Sequence, residues 1–489
     1  MITFAGIPIT LRTPGQFIEM DNSRAVQGTS ARPKVACIIA PMTSVGTATK
    51  DIPVRIVSNA AARTLLGVNS IGAAMVAAYR AINPQTELWA IPVDTFTSGT
   101  ARVERITFVG TTTAAGTVHL YIGGRYIPVA IAASSDVTAT ALACKNAINA
   151  VTDISWTADS SSGVLSMTCT HKGAFTNVAD FRLNYVYGQT LPAGISSATI
   201  AQTTPGATDA SIANAVAAMG DVQYDSVVNP FRDDTNQDIL ETELLRRWGP
   251  LVQKYGQSFV GVSDTLANTS SYGNARNSFL CCALAVGASP TPEWECAAMV
   301  AALRDAQTRA NIPYQGLALT GMLAPAAEDR FDGSERNVVL YDGMSTYTVD
   351  SGGVCRLERL ITTYQTSAGV ADPSYLDLTT PDTLDYLRYS VNQLIALRFP
   401  RFNLADDGTI VEPGSNVVTP NMIKSQILAL ALSEWEGIYC QGFDQFKTEL
   451  IVERNVSDPN RVDMQMGPNL LGAFMVFAGQ IQFLLGTAA

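Results

Sequence analysis

Hydrophobic and polar positions divide the chain into stretches of distinct texture. Between residues 33 and 98, short apolar runs alternate with helical patterns. Val35-Ala-Cys-Ile-Ile-Ala40 reads as a buried strand, 71–81 as an Ala-rich helix and 87–92 as a second strand. Between 99 and 206 the chain is rich in Thr, Ser, Ala and Gly, and 117–122, 125–130, 164–168 and 181–185 carry strand character. Gly123-Gly124 between the first two predicts a hairpin, and 139–149 a single helix. After Gly206 the first rhythm returns. Strands are expected at 224–229, 257–262 and 280–286, with helices at 237–255, broken by Pro250, and at 292–311, opened by Pro292. Strands alternating with helices imply a mainly parallel sheet covered on both faces.

The last third reads differently. Residues 381–399 and 419–439 are amphipathic helices, and 446–454 and 461–466 resemble strands. Residues 354–364 read as one strand, with Cys355 and Leu357 inward, Arg356 and Glu358 outward, and a slip at Leu360-Ile361. The first 30 residues form an extended arm interrupted by Pro8 and Pro14. The apolar tail is about one membrane span long, but Gln480 and Gln482 interrupt it and Gln-Ile-Gln-Phe-Leu alternates as a strand does; a buried terminal strand is expected.

At 489 residues the chain is long enough for two to four domains. With 47% hydrophobic and 15% charged residues, long disorder is excluded. A net charge of −11 without a Lys/Arg run speaks against nucleic-acid binding through a basic stripe. The N-terminus has neither a basic segment nor a long apolar run and does not read as a signal peptide. Eight scattered cysteines, with no Cys-x-x-Cys, fit reduced core residues made in a cytoplasm.

Catalytic chemistry is sparse. The two histidines, His119 and His171, both fall in the 99–206 stretch and read as surface or hairpin residues rather than a ligand pair. A Ser-His-Asp triad spread over the α/β part is therefore excluded. No phosphate-binding loop, dinucleotide fingerprint or nucleophile elbow occurs. Asp233-Asp234 and Asp406-Asp407-Gly408 fit caps and turns. These patterns select no catalytic residue, cofactor or metal site. Arg356, Glu358 and Arg359 then belong either to a solvated strand face or to polar subunit contacts, and composition does not separate the two.

Arg359-Leu-Ile-Thr-Thr-Tyr364, following Gly352-Gly353-Val354, resembles the signature strand of contractile tail sheath proteins, with Arg359, Ile361, Thr362, Thr363 and Tyr364 as its matching positions. Asp372-Pro-Ser-Tyr-Leu-Asp377 and Asp385-Tyr-Leu-Arg388 follow as in that family. Asn403-Leu-Ala-Asp-Asp-Gly-Thr409, Leu450-Ile-Val-Glu-Arg-Asn455, Asp458-Pro-Asn-Arg-Val-Asp463 and Phe17-Ile-Glu-Met-Asp-Asn-Ser-Arg24 are similar to its Mu-like branch.

The resemblance implies a non-enzymatic subunit, without cofactor or membrane insertion, that stacks as hexameric rings around a tail tube. It would contract to drive the tube through the host envelope. Its partners would be copies of itself, the tube protein, and baseplate and tail terminator proteins. Its location would be the virion, with assembly in the host cytoplasm. A phage-derived bacteriocin or secretion device would use the same subunit physics; an α/β hydrolase with a carbohydrate-binding insert is the other alternative.

The expected fold is α/β, with a mainly parallel sheet core, an inserted β-rich domain, an α+β C-terminal domain and extended terminal arms. The expected parts are an exchange arm at 1–30, a sheath domain at 31–98 and 207–375, an outer β-rich insertion at 99–206, an inner tube-facing domain at 376–460 and a second exchange arm at 461–489. Phe17, Ile18, Glu19, Ile481 and Phe483 would serve as inter-subunit arm residues. Arg388, Arg398, Arg401 and Lys424 are candidates to face the tube, because polar contacts release more easily than packed apolar ones.

Overall fold

A computed structural model describes Gly15 and residues 32–412 and 415–483. The chain divides into two compact units, one built on Pro33–Asp385 and the other on Tyr386–Gly472; the segment from Ala473 groups with the first.

In the first unit, β1 (Val35–Met42), β2 (Val54–Ile56) and β3 (Glu87–Asp94) precede the insertion, with helices α1 (Asn59–Leu66) and α2 (Ile71–Ile82) between β2 and β3. The insertion carries β4 (Ala101–Gly110), β5 (Gly116–Ile122), β6 (Arg125–Ile131), α3 (Val137–Ala150), β7 (Trp156–Ser161), β8 (Val164–Lys172), β9 (Phe181–Leu183) and β10 (Ile195–Thr204). There follow α4 (Ala213–Ala217), β11 (Ser226–Val228), α5 (Asp234–Trp248), β12 (Gln257–Val262), α6 (Leu266–Asn274), β13 (Cys281–Ala285), α7 (Glu293–Ala306), α8 (Gly333–Tyr341), β14 (Met344–Val349) and β15 (Cys355–Arg359).

The main sheet runs β15-β14-β13-β12-β11-β1-β3-β2. Its six central strands are parallel, and β2 and β15 run antiparallel at the two edges. β12 and β13 are buried throughout, as expected for strands covered on both faces. α2 and α7 pack on one face, while Val260, Val262, Cys281 and Ala283 meet the α6 and α8 side on the other.

The insertion holds a four-stranded antiparallel sheet, β10-β4-β8-β7, and a three-stranded one, β6-β5-β9. Gly123 and Gly124 turn the β5–β6 hairpin with φ of +52° and +76°, the left-handed pair that a two-residue turn demands. The insertion is docked onto its own unit. Arg125 binds Glu295 at 3.1 Å, and Tyr185 donates to the carbonyl of Ala324 at 2.5 Å.

Helix α9 (Thr379–Arg398) crosses from the first unit's residue range into the second's. In the second unit α10 (Pro420–Leu430) starts with Pro420 behind the capping hydroxyl of Thr419 and ends in one π-helical turn, Ala431–Trp435. Trp435 is buried there and donates to Ser390 Oγ at 3.1 Å. Ile451–Arg454 and Val462–Gln465 form a two-stranded antiparallel hairpin, and α10 packs on its first strand.

Several local expectations change. Residues 446–454 are not one strand: Phe443–Glu449 is helical, because Phe446 turns into the core beside Trp435, and only Ile451–Arg454 is extended. The helix expected over 419–439 ends at Leu430 and its π turn. The strand expected over 354–364 stops at Arg359. The tail forms no strand over 471–483, and Ile481 and Phe483 lie in solvent, so no buried terminal strand exists among the described residues. His171 is not a surface residue but completely buried, held by polar partners on the core; His119 is half-buried on β5, stacked on Tyr126.

Candidate assembly surfaces

The segment that carries the sheath signature is hydrogen-bonded along both edges of its strand within the first unit. β15 pairs with β14, and the register skips Glu358 between Leu357 and Arg359. The bulge lies a little before the slip read at Leu360-Ile361. It aims Glu358 at Arg336 Nε (2.8 Å) and Thr346 Oγ1 (2.9 Å). The other edge of β15 is occupied too. The Leu357 N–H donates to Leu317 O and the Leu319 N–H to Cys355 O, each at 2.9 Å.

Beyond the strand, Arg359 grips the Asp377 carboxylate through two bonds of 2.9 Å. Ile361 shares hydrogen bonds with the Ser345 hydroxyl. Thr362 donates from N–H to Leu376 O and from Oγ1 to Tyr375 O at 2.7 Å. Thr363 donates to Cys281 O and Ser278 O, and Tyr364 to Asp372 at 2.7 Å. Thr362 and Thr363 are fully buried. Charges and hydroxyls here stitch β14, the entrance to β13 and the run into α9 into one body.

A second polar centre, at the amino end of the sheet, was not legible in the sequence. Arg304, in the last turn of α7, meets Asp382, in the first turn of α9, at 2.5 Å. Both charges suit the helix ends that carry them. Asp382 also accepts from the hydroxyls of Tyr255 and Tyr314, each at 2.8 Å. Asp305 accepts from Tyr79 (2.9 Å) and Ser226 (2.8 Å). Lys34 closes the amino side by donating to the carbonyls of Arg304 and Gln307. Burial alone would raise the Asp382 carboxyl, but Arg304 and the hydroxyl donors outweigh it and hold it below the usual range. The available signal was four charges inside an otherwise Ala-rich apolar helix, since a buried charge requires a partner.

At the opposite end lies the crevice where the sheet's build direction reverses between β1 and β11. Open α/β sheets bind ligands there. Here the chain fills it with its own insertion. His171 reaches Thr95 and the start of α2, and Phe175 lies edge-on to Phe231 at 4.9 Å and Trp294 at 6.0 Å. All eight cysteines are free and buried, and burial pushes Cys144 and Cys169 up to about 12. Among the described residues no cluster of His, Cys, Asp and Glu could hold a metal ion, and no helix is long and apolar enough to cross a membrane.

Of the residues expected to face a tube, Arg398 and Arg401 are exposed near the end of α9, and Arg388 and Lys424 are half-buried. Arg401 has φ of +61°, an uncommon conformation for a side-chain-bearing residue. Of the arm residues, Phe17, Ile18 and Glu19 lie outside the described residues. Ile481 is 93% and Phe483 77% exposed, and Phe474 and Phe477 accompany them at 75% and 84%. Residues 461–470 behave differently: Val462–Gln465 and Asn469–Leu470 each pair with strands of their own unit.

A sheet whose ligand crevice is filled, and whose charged signature is spent on internal bonds, defines a scaffold rather than a reaction centre. Residues 205–363 match the family model of the phage tail sheath protein central domain, and 370–484 that of the phage tail sheath C-terminal domain. Over 488 residues the chain is 35% identical to the Mu-like prophage FluMu tail sheath protein of Haemophilus influenzae, covering 99% of this chain and 100% of that one. A sheath tail protein from Listeria innocua shares the fold with a TM-score of 0.50 at 9% identity, over 91% of this chain and 94% of that one. One from Desulfitobacterium hafniense aligns with a TM-score of 0.49 at 12% identity, over 94% and 100% of the two chains. The chain belongs to the phage tail sheath protein family; it is a structural protein of a contractile tail, not an enzyme.

Proposed function

We propose that this subunit stacks as hexameric rings around a tail tube, joined by strands that each copy lends to its neighbours, and that the array contracts to drive the tube through a host envelope. Its partners are then copies of itself, the tube protein, and baseplate and terminator proteins; it resides in the virion after assembly in the host cytoplasm. In this reading 31–98 and 207–375 form the sheath domain, 99–206 points outward, and 376–460 faces the tube through Arg388, Arg398, Arg401 and Lys424. The exchange arms are 1–30 and the tail. Because 461–470 pairs within its own unit, the tail's lent portion begins after Leu471.

The observation that carries this is the exposure of Phe474, Val476, Phe477, Ile481 and Phe483 along a segment with no strand of its own. Burying each such side chain is worth about 1.5–3 kcal/mol, a gain that this subunit leaves to a partner. The Ile451–Arg454/Val462–Gln465 hairpin supplies a matching need. It pairs with no third strand among the described residues, and a two-stranded sheet is marginal without one. Strand addition satisfies both, and a head-to-tail contact of this kind generates an open helical lattice. The extended array is then a kinetically trapped state, loaded at assembly, which requires no nucleotide site.

Negative-stain microscopy of the purified protein tests this. Full-length protein is expected to form hollow cylinders or rings. Protein lacking 473–489 is expected to stay folded and soluble without polymers; polymers from the truncated chain would contradict the role given to the tail.

A further inference from the structure

The buried histidine of the insertion makes contacts that define its proton state. His171 Nε2 lies 2.9 Å from the backbone N–H of Ile71, which can only donate. Nε2 is therefore the bare nitrogen, and Nδ1 carries the proton toward Thr95 Oγ1 at 2.6 Å. The Thr95 hydroxyl in turn donates to the carbonyl of Met42 at 3.3 Å. This chain of donors runs in one direction only, from the first turn of α2 through the ring to the end of β1. The Ile71 N–H is one of the four that a helix leaves unpaired at its start, so the insertion's imidazole completes a core helix.

We propose that His171 is an acid-sensitive latch that holds the insertion's 171–178 segment in the core crevice only while its ring is neutral. A second proton has one place to go, Nε2. There it would point at the Ile71 N–H and at the positive end of α2, with no solvent to receive it. Neighbouring side chains offer no compensation. Phe175 faces the ring edge-on at 6.4 Å. Lys172 turns its ammonium to Thr97 O, Asp94 is spent on Thr97 and the amides of Phe96 and Thr97, and Asp209 accepts from the Phe175 N–H. On β4, Arg102 is committed to Glu104. Burial pushes the His171 ring down to about 3, below its ordinary value of 6.5. Since the docked ring has the depressed value, docking is undiminished above 6.5 and weakens as pH falls from there toward 3, close to tenfold per pH unit.

Hydrogen exchange on the full-length protein at about pH 7 and about pH 4.5 reads this directly. After correction for intrinsic rates, the amides of 171–178 and of the first turn of α2 are expected to exchange roughly a hundredfold faster at the lower pH, with β12 and β13 unchanged. His171→Gln keeps an acceptor for Ile71 and a donor for Thr95 but does not titrate; it is expected to abolish the difference. His171→Phe, with neither atom, is expected to leave 171–178 unprotected at both pH values. Equal protection of wild-type 171–178 at both pH values would overturn the latch, as would a wild-type pH response in His171→Gln or neutral-pH protection of 171–178 in His171→Phe.

Discussion

Two apolar stretches of similar length meet opposite fates in this chain. Glu293–Ala306 buries thirteen of its fourteen residues inside one unit, four of them charged. Residues 473–483 contain no charged side chain, yet nine of the eleven are exposed. Apolar composition is thus common to a segment satisfied by its own fold and one that is not. What separates them is whether the backbone and the few polar groups find partners nearby. The helix bonds its own backbone and hands its charges to Asp382, Arg232 and Arg125. Among the described residues the tail shows neither, and its apolar side chains stay uncovered.

The largest effect is expected where the helix loses its polar anchor. Asp382→Ala leaves Arg304 buried without its carboxylate, and a loss of about 3–5 kcal/mol in unfolding free energy is expected by denaturant titration. Acid should act on the same pair. Asp382 has a folded value below its unfolded one of about 3.9, so its contribution is complete above that value and is lost as pH falls through the lower, folded one. Acid melts of wild type and Asp382→Asn should therefore converge at low pH.

The signature segment should respond less. Thr362→Val removes the donor to Tyr375 O in a fully buried site, and about 1–3 kcal/mol of stability should go with it, with polymer formation retained when the fold is held. In the tail the pattern reverses. Phe477→Ser with Ile481→Ser should leave the subunit's melting temperature unchanged within about 1 °C, since surface changes cost under about 0.5 kcal/mol, yet suppress polymers in sedimentation. The smallest effect is expected at the exposed cations. Arg398→Ala and Arg401→Ala should keep both stability and polymer, and lower only tube co-sedimentation, most at low salt and least at high salt, where exposed charges are screened.

Elements whose periodicity coincides with their burial were legible. Val35–Met42 is apolar throughout and lies buried at mid-sheet; Gly123-Gly124 turns as its dipeptide predicts; Pro292 stands immediately before α7. The resemblance carried by Arg359 to Tyr364 pointed to the right family, while the residues alone left open whether those charges face solvent or a neighbour. The structure gives a third answer, internal pairing, because Asp350 takes Arg356, Asp377 takes Arg359 and Arg336 takes Glu358. Periodicity failed where one side chain overrides it, as with Phe446, which draws 443–449 into a helix. Pairing across long separations left no local trace: Arg304 and Asp382 stand 78 residues apart, and His171 is 100 residues from Ile71. In the tail, the alternation of Gln480 to Phe483 describes a strand that the isolated subunit does not form.

Tracing the chain in an electron cryomicroscopy map of the assembled polymer would show whether the tail is lent to a neighbouring copy. Residues 473–483 are expected to run extended into an adjacent subunit, hydrogen-bonded as an added strand with Phe477, Ile481 and Phe483 covered. A tail that packs back onto its own subunit while the polymer remains intact would contradict this.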